Sequence, residues 1–288
     1  MANVLKTSKR VAIVSALVQG ASIRAISRVE GCSKNTATKL LVDLGTACSE
    51  YQDEVLRDLE CKRLQIDEIW SFCGMKQKTA AKPVSAEEFG VGDIWTWTAI
   101  DPGTKLVPSW MVGTRDTETA KLFIKGVAGR LRQRVQLCIA GHKPYLKVVE
   151  DAFGMDIDYA QLVEVYGADP QLQKRYSPAD CSGVQMTTVQ DDPEEDHIST
   201  SCVECQKLTM RMSIRHSTRL NNDVSEIAFS KKVENLTHSV ALHFMAYNFV
   251  KPHGTLTKRA CGHPTTPAMA ACVATKAWKI EDVVGLLS

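Results

Sequence analysis

Hydrophobic and polar positions change period along this chain, and the changes mark its elements. Residues 63–72 (RLQIDEIWSF) form a short apolar run with two carboxylates, Asp67 and Glu68, in its middle. A run of that length reads as a strand, and a carboxylate inside it faces a site or is desolvated at high cost. Residues 94–100 and 105–112 are two further strand-like runs, joined by Asp101, Pro102, Gly103 and Thr104, a turn sequence. Together the three predict an antiparallel meander. Asp116 is a candidate N-cap for a helix over residues 117–131, with Leu122, Ile124, Val127 and Leu131 among its apolar positions, and residues 135–139 follow as a fourth strand.

Ahead of the meander the period is helical. Residues 7–19 carry Val11, Val14, Leu17 and Val18 on one side and end near Gly20. Ser22 then caps a helix of two turns that Gly31 stops, and Ser33 caps a third, residues 34–45. Helix, Gly-containing turn, helix is a helix-turn-helix order, in which the last helix enters the major groove. Lys34, Asn35, Thr36 and Thr38 open that helix, where base edges are read, and Arg24, Arg28 and Lys39 are candidates for phosphates. A trihelical bundle that merely caps the next domain is the alternative. Residues 46–62 read as a helical linker.

After the fourth strand, residues 144–153 predict a short helix with Leu146 and Val149 inward. Residues 154–200 read as a turn-rich, acidic insertion with a short helix at 159–165. From about residue 200 a helix places Glu204, Lys207, Arg211 and Arg215 on one stripe and Val203, Met210 and Ile214 on the stripe beside it. One side packs on a sheet while the next presents a carboxylate and three cations; an ordinary amphipathic helix with Glu204 paired to Lys207 or Arg211 reads the same way. Val233, Leu236, Val240, Phe244 and Tyr247 give the next helix a sustained core face, and a last helix falls over residues 280–287.

Composition narrows the classes. At 288 residues and 44% hydrophobic content the chain buries a real core of about two domains. No apolar run reaches membrane-spanning length and no signal core is visible, so a cytoplasmic, nucleoid-associated protein with no membrane partner is expected. The ten cysteines are expected to be reduced, and Cys202 and Cys205 lack the second close pair that a zinc site needs. Net charge is only +2, but cations gather between Lys6 and Lys39 while acids gather between Asp191 and Asp196. The amino-terminal end is the one suited to phosphates.

The order strand, strand, strand, helix, strand is how ribonuclease-H-like folds begin, and several stretches then carry a family resemblance over nearly the whole chain. IRAISRVEGCSKNTATKLLVDLG, CKRLQIDEIWSF, GDIWTWTAIDPGTKLVPSW, GHKPYL, VECQKLTMRMSIR, AFSKKVEN and VALHFMAYNFVKPH together resemble the insertion-sequence-one family of bacterial DDE transposases. The resemblance implies an α/β ribonuclease-H-like catalytic domain (63–260, with an insertion at 143–200), preceded by an all-α helix-turn-helix domain (1–48) and a linker (49–62), and followed by a helical tail (261–288).

It also implies a chemistry: hydrolysis of a phosphodiester at each transposon end and attack of the freed 3′ hydroxyl on target DNA. Two Mg²⁺ or Mn²⁺ ions held by three carboxylates would assist both steps. By motif, Asp67 and Glu204 match the first and third carboxylates as catalytic and metal-ligating residues, with Lys207, Arg211 and Arg215 toward DNA. The second position, just before the Gly-His-Lys after the fourth strand, is Ala140, and a methyl group ligates nothing. The expected protein is therefore a transposase impaired in cleavage, bound to duplex transposon ends and target as a homo-oligomer, at least a dimer. A non-cutting DNA-binding protein is the alternative.

Overall fold

The computed structural model describes residues 5–73, 92–140, 145–154, 157–166, 181–214 and 233–287. Three helices come first: α1 (Thr7–Val18), α2 (Ile23–Val29) and α3 (Lys34–Val55). Ser22 and Ser33 cap the second and third by accepting the N–H of Ala25 (3.1 Å) and Thr36 (3.0 Å), and Gly20 and Gly31 turn the chain with positive φ. Then follow β1 (Arg63–Cys73), β2 (Gly92–Ile100), β3 (Ser109–Gly113), α4 (Thr117–Ala128), β4 (Val135–Ala140), α5 (Tyr145–Phe153), β5 (Ile157–Tyr166) and β6 (Cys181–Gln190). The chain closes with α6 (Ser201–Ser213), α7 (Val233–Met245), a π-helical turn (Ala246–Val250), α8 (Gly254–Arg259), α9 (Pro267–Ala270) and α10 (Ile280–Gly285).

The strands form one mixed six-stranded sheet in the order β3-β2-β1-β4-β5-β6. β1, β2 and β3 are an antiparallel meander, and β4 lies parallel to β1 on its other edge. β1 is thus an interior strand, and alternation sends its side chains to two layers. Leu64 and Ile66 join Trp97, Phe123 and Tyr145 in a core under α4 and α5, while Ile69 and Cys73 join Val203, Met210, Phe244 and Tyr247 under α6 and α7. No helix among the described residues is long and apolar enough to cross a membrane.

Several expectations are corrected. Residues 159–165 are strand, not helix: β5 pairs in parallel with β4, so part of the expected insertion belongs to the central sheet. Short apolar runs do not declare their period, and the parallel edge of β4 decided this one. The expected strand over 105–112 is regular only at Ser109–Gly113. Before it the backbone closes the turn, with Asp101 N–H donating to Leu106 O (2.8 Å) and Lys105 at φ +62°. α4 ends at Ala128 rather than 131, with Leu122 exposed. In α5 Leu146 faces solvent, while Tyr145, Val148 and Val149 are buried.

The third helix does not stop at Gly45. It runs 22 residues to Val55, across the boundary expected at residue 48. Gly45 is the point where α3 crosses α7: a Cβ built there would lie 2.5 Å from His238 Cβ and 2.7 Å from its Cα. Gln52, about two turns further on, donates to Cys48 O (2.9 Å) and to Ala241 O of α7 (3.1 Å). The amino-terminal helices therefore share one apolar core with the sheet and with Val283 and Val284 of α10.

Gly45→Ala tests that crossing. Alanine is the better helix former by about 1 kcal/mol, yet the clash with α7 should make the variant less stable by about 1–3 kcal/mol, read from urea denaturation midpoints.

Candidate active site on the central strand

Asp67 stands in the middle of β1, and the helix that meets it is held there by a side chain of the same strand. The first N–H groups of a helix have no partner within it. Thr200, the N-cap residue of α6, makes no side-chain cap bond. Instead Gln65 Oε1 accepts from the N–H of Cys202 (2.8 Å) and of Val203 (3.1 Å). Gln65 precedes Asp67 by two residues, so both point to the same face. Docking the helix end on Gln65 brings Glu204 to Asp67.

The two carboxylates then share one ammonium. Lys207, 140 positions from Asp67 in sequence, donates to Asp67 Oδ2 and to Glu204 Oε1, the latter at 2.9 Å. Asp67 and Lys207 are largely buried and Glu204 is about half exposed. Burial pushes Asp67 up to about 7; Lys207 pulls the other way, while the hydrogen bond with Glu204 and the charge of Glu68 add to the rise. Burial also pushes Glu204 up, but hydrogen bonds from Asp67 and Lys207 outweigh it, and its pKa is lowered. As pH falls, Asp67 therefore takes up a proton before Glu204 does.

β4 supplies the neighbour. Ile66 pairs with Ile139 in parallel register, so Ala140 follows beside Asp67 on the same face of the sheet. The donor set does not fit two metal ions. Two carboxylates are present where the sequence resemblance implies three, the third neighbour is a methyl group, and an ammonium already engages both acids. Among the described residues no cluster of three His, Cys, Asp or Glu side chains could hold a metal. Cys202 instead accepts from Lys105 Nζ (2.9 Å), which ties the β2–β3 turn to α6.

Glu68 points to the opposite layer, and sequence reasoning assigned it no partner. There Tyr145 Oη donates to Glu68 Oε1, and Arg115 Nη2 lies 3.3 Å from Oε2. Arg115 also lies over the Trp95 ring, 4.7 Å from its centroid. Tyr145 is held far above its ordinary range by burial and by Glu68. It therefore remains a donor.

Of the cations expected to face DNA, Arg24, Arg28, Lys34 and Lys39 are exposed on α2 and α3, as is Asn35, with Thr36 and Thr38 half-buried. Arg211 is exposed on α6, Lys207 is turned inward, and Arg215 lies outside the described residues. The inward turn of Lys207 was not readable from the stripe, because Glu204, Lys207 and Arg211 share it whichever of them meets the sheet.

The sequence matches no protein-family model and no curated protein. Solved structures similar to it include the piggyBac transposase synaptic complex with hairpin DNA, at 12% identity and TM-score 0.44, covering 98% of this chain and 69% of that chain. Another is the Mos1 transposase paired-end complex with left transposon end, at 9% identity and TM-score 0.23, covering 54% and 58%.

Two outcomes follow from the geometry. Gln65→Leu strands two N–H groups in the interior and should cost about 1–3 kcal/mol of stability, measured by urea denaturation. For Asp67 the folded state binds a proton that the unfolded state, with a carboxylate of ordinary pKa near 3.9, has released. Its contribution to stability therefore falls as pH rises from about 4 to about 7 and is flat above that. Asp67→Asn should remove this slope, which denaturation midpoints at pH 5 and pH 7.5 would show.

Proposed function

We propose that this chain is a duplex-DNA-binding protein of the DDE-transposase type that retains end binding and has lost efficient strand cleavage. The observation that carries this reading is the meeting of Asp67 and Glu204 at one ammonium with Ala140 beside them. These are the three positions that the insertion-sequence-one resemblance marks for carboxylates, and they come from β1, α6 and β4, far apart in sequence. The interior place of β1 between an antiparallel meander and a parallel β4 accords with a ribonuclease-H-like reading of the sheet.

In this reading α2 and α3 form the helix-turn-helix. The tip of α3 presents Asn35 and Lys34 to base edges, while Arg28 and Lys39 hold phosphates. In an intact relative two Mg²⁺ or Mn²⁺ ions would polarise the phosphate and activate the attacking oxygen. Here Asp67 and Glu204 hold Lys207 between them. Joining two transposon ends requires at least a dimer. A non-cutting DNA-binding role, such as repression of related elements, uses the same helices and is the second reading; Ala140 favours it.

Binding is tested with duplexes selected from a random pool. Asn35→Ala should weaken the selected sequence by about 1–3 kcal/mol, and Lys39→Ala should weaken all duplexes alike and reduce the salt slope by about one. Cleavage is tested as Mg²⁺-dependent nicking of the selected duplex. With the Lys207 ammonium removed in both, the Lys207→Met chain should cut about three orders of magnitude more slowly than the Ala140→Asp, Lys207→Met double variant, the loss of a Lewis-acid contact worth several kcal/mol at 1.36 kcal/mol per decade. Equal rates would show that position 140 is not the missing ligand.

A further inference from the structure

We infer that Lys207 is the resident cation of this site, its ammonium standing where a divalent ion would have to bind, so that Asp67 and Glu204 are held together without metal. The inference rests on reading those two acids as the remains of an ion-binding pair. The geometry supports it in three ways. Lys207 Nζ donates to a carboxylate oxygen of each acid, and its side chain is 13% exposed. A surface cation awaiting a phosphate would instead be solvated. Lys207 lies three residues after Glu204 on α6, so its position is fixed by the same Gln65 contact that fixes Glu204.

Charge balance is the third support. With both acids ionised, Asp67, Glu204 and Lys207 sum to one negative charge, and Ala140 adds none. Glu68 lies on the other face and is engaged by Tyr145 and Arg115. A divalent ion entering here would find two carboxylates already satisfied and would have to expel an ammonium tethered in place. Removal of that ammonium leaves two acids in contact and open to a cation.

The test uses the full chain, with Mn²⁺ as the probe, calorimetry and electron paramagnetic resonance as readouts of binding, and melting midpoints as the readout of stability. Lys207→Met keeps the stem and removes the charge. The unaltered chain should show no saturable Mn²⁺ binding up to millimolar concentration. Lys207→Met should melt lower than the unaltered chain without metal, regain stability with Mn²⁺, and bind at least about tenfold more tightly, a difference of about 1.4 kcal/mol. Equal Mn²⁺ affinity in the two proteins, or no gain in the variant, overturns the inference.

Should Lys207→Met fail to fold, nuclear magnetic resonance of the unaltered chain decides. A slowly exchanging lysine ammonium signal, with the Asp67 and Glu68 amides unbroadened by Mn²⁺, supports Lys207 as the cation; broadening of those amides overturns it. None of these measurements involves DNA. A chain that behaves as expected toward Mn²⁺ yet binds no duplex would sink the proposed function and leave the role of Lys207 standing.

Discussion

The contact between Gln65 and the first turn of α6 is the constraint from which the site follows. A helix end buried against a sheet needs acceptors for its first N–H groups, and a strand has few to offer because its own carbonyls are committed to neighbouring strands. Gln65 resolves both demands with one amide oxygen taking two donors. Once the helix start is fixed, its rise and turn leave no freedom: Val203, Met210 and Ile214 enter the core, and Glu204 and Lys207 fall beside Asp67.

Two adjacent acids in an interior strand are an expensive arrangement, and the molecule meets the cost differently on each face. Glu68 is satisfied by a tyrosine hydroxyl and a guanidinium that itself rests on an indole. Asp67 is satisfied by an ammonium and by sharing a proton with Glu204, so its charge is partly given up. The first solution is a fixed structural network. The second is a pair of acids bridged by one ammonium, with Glu204 about half exposed to solvent.

Sequence carried the local part of this structure. Helix starts at Ser22, Ser33 and Asp116 were legible because a cap is a bond between residues three apart. The strand around Asp67 was legible from its apolar run, and the buried stripe of α6 from its spacing. What escaped depends on neighbours distant in sequence. Residues 159–165 became strand because β4 offered a parallel edge. Gly45 reads as a stop signal in isolation and as a crossing point only beside His238. Gln65 carries no mark of a helix cap, and nothing in the stripe of α6 says that Lys207 rather than Arg211 turns inward. Ala140 was read as the missing acid from the resemblance; its place beside Asp67 comes from the register of β1 and β4.

The unbroken course of α3 has a mechanical consequence. Its 22 residues span about 33 Å at 1.5 Å per residue. The base of the helix is clamped by Gln52 on α7 and by Arg130, which donates to Leu56 O at 3.0 Å and pairs with Asp53. With no hinge between base and tip, the helix acts as a rigid ruler that sets the phase of Lys34 and Asn35 relative to the sheet. One residue inserted between Gly45 and Gln52 would swing the tip by about 100°. The carboxylates can change by single substitutions and leave that phase intact, whereas a change of length along the ruler would misalign both ends at once.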